Sequence, residues 1–159
     1  MRLLHIVGVA WAIGATAVFA QVPGKPGKSD SPFSAPKPLP ELKGHVSWKT
    51  LAQVDLVKLK DRYAPQFSEG VTALNKREVK IQGYMMPLDP GERQSRFLLT
   101  AMPQSCNFCI PGGPAEFVEV RMAKPVKFTF EPIVVRGRMA LLDNDPGGLF
   151  YRLTDAVVQ

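Results

Sequence analysis

From His45 onward the sequence is dominated by a two-residue hydrophobic alternation, and no other feature restricts the possible folds as much. In Val79-Lys80-Ile81-Gln82-Gly83-Tyr84-Met85, apolar and polar positions take turns. Phe117 to Met122 repeats the pattern with Val118, Val120 and Met122 on one side. Arg96 to Met102, Val126 to Phe130, Ile133 to Leu142 and Leu149 to Leu153 complete the set. Successive side chains of a strand point to opposite faces, so this spacing predicts half-buried strands. It predicts an all-β domain with one or two short helices.

Two of these segments resemble each other. Val79 to Asp89 aligns with Ile133 to Asp143, matching Gly83 to Gly137, Met85 to Met139 and Leu88 to Leu142. A glycine inside a strand marks a bend or a close backbone approach. Two long strands bent in register suit a small, tightly curled barrel. The sequence from Asp143 to Gly148 reads as the turn between the last two strands. Its acids lack the alternate-position spacing of a calcium loop. Helical signals are sparse. Leu56 to Tyr63 is one candidate. Ser68 to Leu74 is the other, with Ser68 as N-cap and Glu69 in the first turn.

The other end of the chain has a different character. Arg2 precedes an apolar run from Leu3 to Phe19, which ends in Val18-Phe19-Ala20. A basic start, an apolar middle and a small-residue exit form the secretory pattern. Residues 1–20 are therefore expected to be a signal peptide cleaved near Ala20, leaving a soluble periplasmic protein that meets the membrane only during export. Residues 21–43 hold six prolines with Gly, Ser and Lys between them, and Pro-Gly-Lys occurs twice in succession. Such a composition predicts a disordered linker. The remainder, 44–159, suits one domain.

Composition narrows the function. The net charge of +6 falls by one when Arg2 is removed with the signal peptide. The basic residues are dispersed, with none of the dense runs that grip phosphates. Together with export, this argues against nucleic acid as a partner. One histidine of the two is lost as well, leaving His45. A Ser-His-Asp set is not available with a single histidine at the domain margin.

The strongest chemical signal is Cys106-Asn107-Phe108-Cys109, followed by Ile110-Pro111-Gly112-Gly113-Pro114. Two thiols at this spacing have three uses. They can hold a soft metal ion, form an inert disulfide in an oxidising compartment, or exchange disulfides catalytically. Catalytic exchange favours a pair at a helix N-terminus, and Pro-Gly-Gly-Pro does not continue a helix. A disulfide here would close a very short loop and remove little chain entropy. For zinc, two further ligands are needed, and His45, Asp89 and Glu92 are candidates. For Cu(I), thioether sulfur is suitable, and Met85, Met86 and Met102 are candidates. Met85 falls on the apolar side of its strand, where methionine ordinarily fills a core.

These motifs resemble a known family. Gly83-Tyr84-Met85-Met86-Pro87-Leu88-Asp89, Phe97-Leu98-Leu99, the segment Cys106 to Pro114 and the closing Gly148 to Ala156 are similar to DUF3299, an exported bacterial family of unknown function. The resemblance spans about residues 47 to 157. It implies a small, partly open, OB-like β-barrel in the periplasm, associated with zinc-linked ABC-type transport systems. The functional expectation is a metal-binding accessory protein, not an enzyme, with Cys106 and Cys109 as ligands of zinc or Cu(I). A thiol-disulfide oxidoreductase and an interaction module with a structural disulfide are the alternatives.

Overall fold

The computed structural model describes residues 39–103 and 112–159. Among the described residues, seven strands and two short helices follow one another. In chain order they are α1 (Trp48–Leu51), β1 (Val54–Lys58), β2 (Tyr63–Phe67), α2 (Glu69–Thr72), β3 (Glu78–Pro87), β4 (Arg93–Thr100), β5 (Phe117–Lys127), β6 (Ile133–Leu141) and β7 (Tyr151–Val158). A single 3-10 turn, Pro114–Glu116, leads into β5.

Strands β3 to β7 form a closed barrel in the order β3-β4-β5-β7-β6. All neighbours are antiparallel except β5 and β7, which run parallel. Counting from β3, this is the 1-2-3-5-4 Greek-key order of an OB barrel. The expected all-β class and barrel are therefore present. The barrel is fully closed, where a partly open one was expected, because β3 pairs with β4 along one edge and with β6 along the other.

The alternation places the core as the sequence predicts. Along β3, Val79, Ile81, Gly83 and Met85 face inward, and their neighbours are half-buried outside. Phe97, Leu99, Val118, Val120, Met139 and Leu153 meet them inside the barrel with no exposed surface. Each such burial contributes about 1.5–3 kcal/mol relative to exposure. The two glycines of the sequence echo are on neighbouring strands, where Gly137 pairs with Val79 and Gly83 with Ile133. A Cβ on Gly83 would come within 2.6 Å of the Leu99 side chain. On Gly137 it would come within 2.9 Å of the Thr154 carbonyl oxygen. Close approach to the neighbouring strand thus requires glycine at both positions.

Two expectations need correction. Leu56 to Tyr63 is not a helix; it spans β1, the turn and the start of β2. Val54 and Val57 favour extended backbone, and Leu59 N–H donates to the Arg62 carbonyl to close the turn. The pairing runs from Val54↔Phe67 to Lys58↔Tyr63. The first helix is instead Trp48–Leu51, capped by the Ser47 hydroxyl, which accepts from Thr50 N–H. The second correction concerns β5, a single strand where two were expected. Its register with β4 shifts between Gln94 and Arg96, so a bulge absorbs the break. The second helix is as expected: Ser68 caps α2 by accepting from Val71 N–H.

These helices cover one end of the barrel. Leu51 and Val71 are fully buried in the same cluster as the barrel interior. Tyr151 ties α1 to β7, its hydroxyl donating to the Leu51 carbonyl at 2.5 Å. Burial pushes the Tyr151 phenol up to about 12. Among the described residues no helix is long and apolar enough to cross a membrane.

Candidate functional site

Cys106 and Cys109 lie outside the described residues. The residues that bracket them are well placed. The last β4–β5 pair is Thr100↔Phe117. Thr100 is buried, and its hydroxyl donates to the Met102 carbonyl at 2.8 Å. That bond turns the chain as it leaves β4. Pro103 then lines a groove of about 420 Å³ with Tyr84, Met85, Met86, Phe128 and Phe130. Phe130 is 84% exposed. It meets Phe128 edge to face with centroids 4.8 Å apart.

Both adjacent methionines line this groove, to different degrees. Met85 is directed into the barrel and only 4% exposed. Met86 is on the outer side, half-buried. Neighbouring residues of one strand point to opposite faces, so they cannot share an ion. Met86 is thus the more accessible of the two methionines that line the groove with Pro103.

The other candidates are scattered. His45 is in a turn, with Nδ1 3.1 Å from the Lys43 carbonyl oxygen. Its neighbour Val46 bonds to Lys80, near the start of β3. Asp89 follows the opposite end of β3 and pairs with Arg96 at 3.3 Å. Lys80 and Asp89 are separated by about 30 Å of extended chain, at roughly 3.3 Å per residue. His45 and Asp89 are not brought together. Glu92 is exposed, and its carbonyl accepts from Phe128 N–H. Among the described residues no three His, Cys, Asp or Glu side chains gather to hold a metal ion.

A charged cluster on the outer face of β4, β5 and β7 was not anticipated from the sequence. Glu119 is only 2% exposed. Its carboxylate accepts from Arg152 and, at 3.3 Å, from Arg121 Nη2. Arg96 Nη1 is 4.0 Å away. Arg152 also donates to Asp145 at 3.1 Å. Burial pulls the Arg152 pKa down, but Glu119 and Asp145 outweigh it and raise the value overall. The only sequence signal was an acid between Val118 and Val120. Its partner Arg152 is too distant in sequence for local patterning to connect them.

Asp145 also orders the β6–β7 loop. Its Oδ2 accepts from Gly147 N–H at 2.9 Å and from Leu149 N–H at 3.4 Å. Burial raises its pKa, but those two N–H groups and Arg152 lower it more, so the net shift is downward. A depressed carboxylate stabilises the fold above its unfolded pKa, here near 3.8, and the contribution disappears as pH falls through the folded value. Asp145→Asn should cost about 1–2 kcal/mol at pH 7. Urea denaturation should show that gap narrowing once the pH drops below 4; a gap of constant size would refute the assignment.

The family can now be compared. The profile described as "Protein of unknown function (DUF3299)" matches residues 43–158. The chain belongs to DUF3299. The crystal structure of another DUF3299 family protein, from Pseudomonas aeruginosa PAO1, is similar over 60% of this chain and 67% of that one. The two share 23% identity with a TM-score of 0.47. No curated protein matches. The matched region of this DUF3299 chain takes in the whole barrel, the helices at its end and both cysteines.

Proposed function

We propose that this DUF3299 protein is an exported, periplasmic metal-binding accessory that holds a soft ion between Cys106 and Cys109. The observation that carries the reading is Pro103 in the same outer groove as Met86. Cys106 follows Pro103 by three residues, a reach of about 10 Å at full extension. A thioether on the outer face is therefore within range of the first thiol. Two thiolates with a thioether suit Cu(I) better than zinc. Zinc would need nitrogen or oxygen ligands, and His45 and Asp89 are at opposite ends of β3. The family resemblance suggests service to an ABC-type transport system.

The thiol-exchange alternative has less support. Among the described residues after the cysteines, Gly112 and Gly113 lead into a 3-10 turn and then β5, with no α-helix of the kind that lowers a thiol pKa. In an oxidising compartment a disulfide competes with the metal for the same two sulfurs.

The test is metal content. Protein purified anaerobically and loaded with Cu(I) should retain it against a chelator. Cys106→Ser with Cys109→Ser should abolish retention, and Met86→Leu should weaken it at least tenfold. Equal retention by the double variant and the parent would refute the proposal.

A further inference from the structure

We infer that the outer face of the β4–β5 hairpin is an anion-binding site whose ligand carries phosphoryl groups, with Arg96 and Arg121 as the residues that grip it. Arg96 and Arg121 are direct cross-strand partners, on adjacent strands of the barrel. Like charges directly opposite one another destabilise a sheet. This sheet holds the pair in place from below. Glu119, almost wholly buried, accepts from Arg121 through both Nε and Nη2 and stands 4.0 Å from Arg96. Its stronger partner is Arg152, on the far side in β7. The carboxylate is thus held chiefly by Arg152, and the Arg96 and Arg121 side chains remain 47% and 52% exposed.

The donors are ready for a ligand. A guanidinium has five N–H donors in a planar fork. Among the described residues, the hydrogen bonds of Arg121 end at Glu119 and that of Arg96 ends at Asp89. The remaining N–H groups of the two neighbouring forks have no hydrogen-bond partner among the described residues. Paired forks match the oxygens of a phosphoryl group, which arginine binds bidentately. Across the bulge, beyond the uncharged pair Gln94↔Val126, a second basic pair follows, Arg93↔Lys127. The basic strip therefore runs along the hairpin for about three residues, on the order of 10 Å. A ligand with two or more linked charges fits it better than a single ion. The outer faces of the second and third strands are also where OB barrels take their ligands, a likeness of fold rather than of chemistry. This inference does not depend on the metal reading.

Asp89 supplies an internal check. It is exposed and bonds to Arg96 from the surface side, so it competes with any anion for that fork. The probe is inorganic pyrophosphate, titrated calorimetrically into the full exported domain at low ionic strength. The expected result is saturable binding that weakens steeply with salt. Arg96→Gln with Arg121→Gln should lower affinity at least tenfold, and Asp89→Asn should raise it severalfold. Lys49→Gln, a change at an exposed cation on α1, should leave affinity unaltered. Circular dichroism melting of each variant separates lost binding from lost fold, and single Arg121→Lys is the fallback where the double variant unfolds. Vesicles containing phosphatidylglycerol identify the source: capture that pyrophosphate displaces indicates a lipid headgroup, and pyrophosphate binding without capture indicates a soluble phosphate. No saturable binding, or equal affinity in the folded arginine variants, would overturn the inference.

Discussion

Glu119→Ala is expected to lower the stability of the domain by about 3–5 kcal/mol, the range for breaking a buried ion pair from one side. For a domain of this size that is a fall in melting temperature on the order of 10–20 °C. The physical cause is the group left behind. Arg152 is only 19% exposed and would keep Asp145 as its one acidic partner. Arg96 and Arg121 would lose the carboxylate that separates two like charges, and their repulsion would act on the β4–β5 ladder. Glu119→Gln retains a hydrogen-bond acceptor and most of the volume, so its cost should be smaller. Thermal melts of the parent and both variants give the ordering. A Glu119→Ala variant melting within 2 °C of the parent would show that the carboxylate is not holding this face together (roughly 0.5 kcal/mol at this size).

Gly137→Ala should destabilise the fold by about 3 kcal/mol, the upper end for overpacking. The added methyl would stand 2.9 Å from the Thr154 oxygen and 3.3 Å from the Ala156 Cα, both backbone atoms of β7. Backbone inside a closed barrel has nowhere to retreat. The site is already irregular: β6 and β7 slip register between Arg136 and Arg138, and Asp155 takes φ 53° across from the slip. Gly113→Ala is the control, since nothing stands within 4 Å of its Cβ position. Chemical denaturation of the two variants should separate them by about 2 kcal/mol or more. Equal stability would mean that the barrel tolerates added side-chain volume at Gly137.

Much of this fold was legible because a strand encodes its own orientation. Val79, Ile81 and Met85 are apolar at every second place, so their inward direction follows from pleat geometry alone. Ser68 before Glu69 announced α2 by the same local logic, through a hydroxyl three residues from the N–H it caps. Leu56 to Tyr63 misled because the extended state of Leu56, Val57 and Lys58 comes from pairing with Pro65, Ala64 and Tyr63, which a local pattern of charge and leucine does not reveal. The bulge in β5 was hidden for a related reason: it is a mismatch between two strands and belongs to neither alone.

The candidate site divides in the same way. The sequence determined that two thiols stand three positions apart and that glycines interrupt two similar strands. It also determined the alternation that turns Met85 inward and Met86 outward. Tertiary structure decided which distant groups meet. It set Pro103 beside Met86, moved His45 and Asp89 to opposite ends of β3, and gathered Arg96, Arg121 and Arg152 around Glu119. The two-residue alternation fixes the face of a residue, because a strand's period is local. Its neighbours across that face depend on the strand order and register of the closed barrel, which no single strand carries.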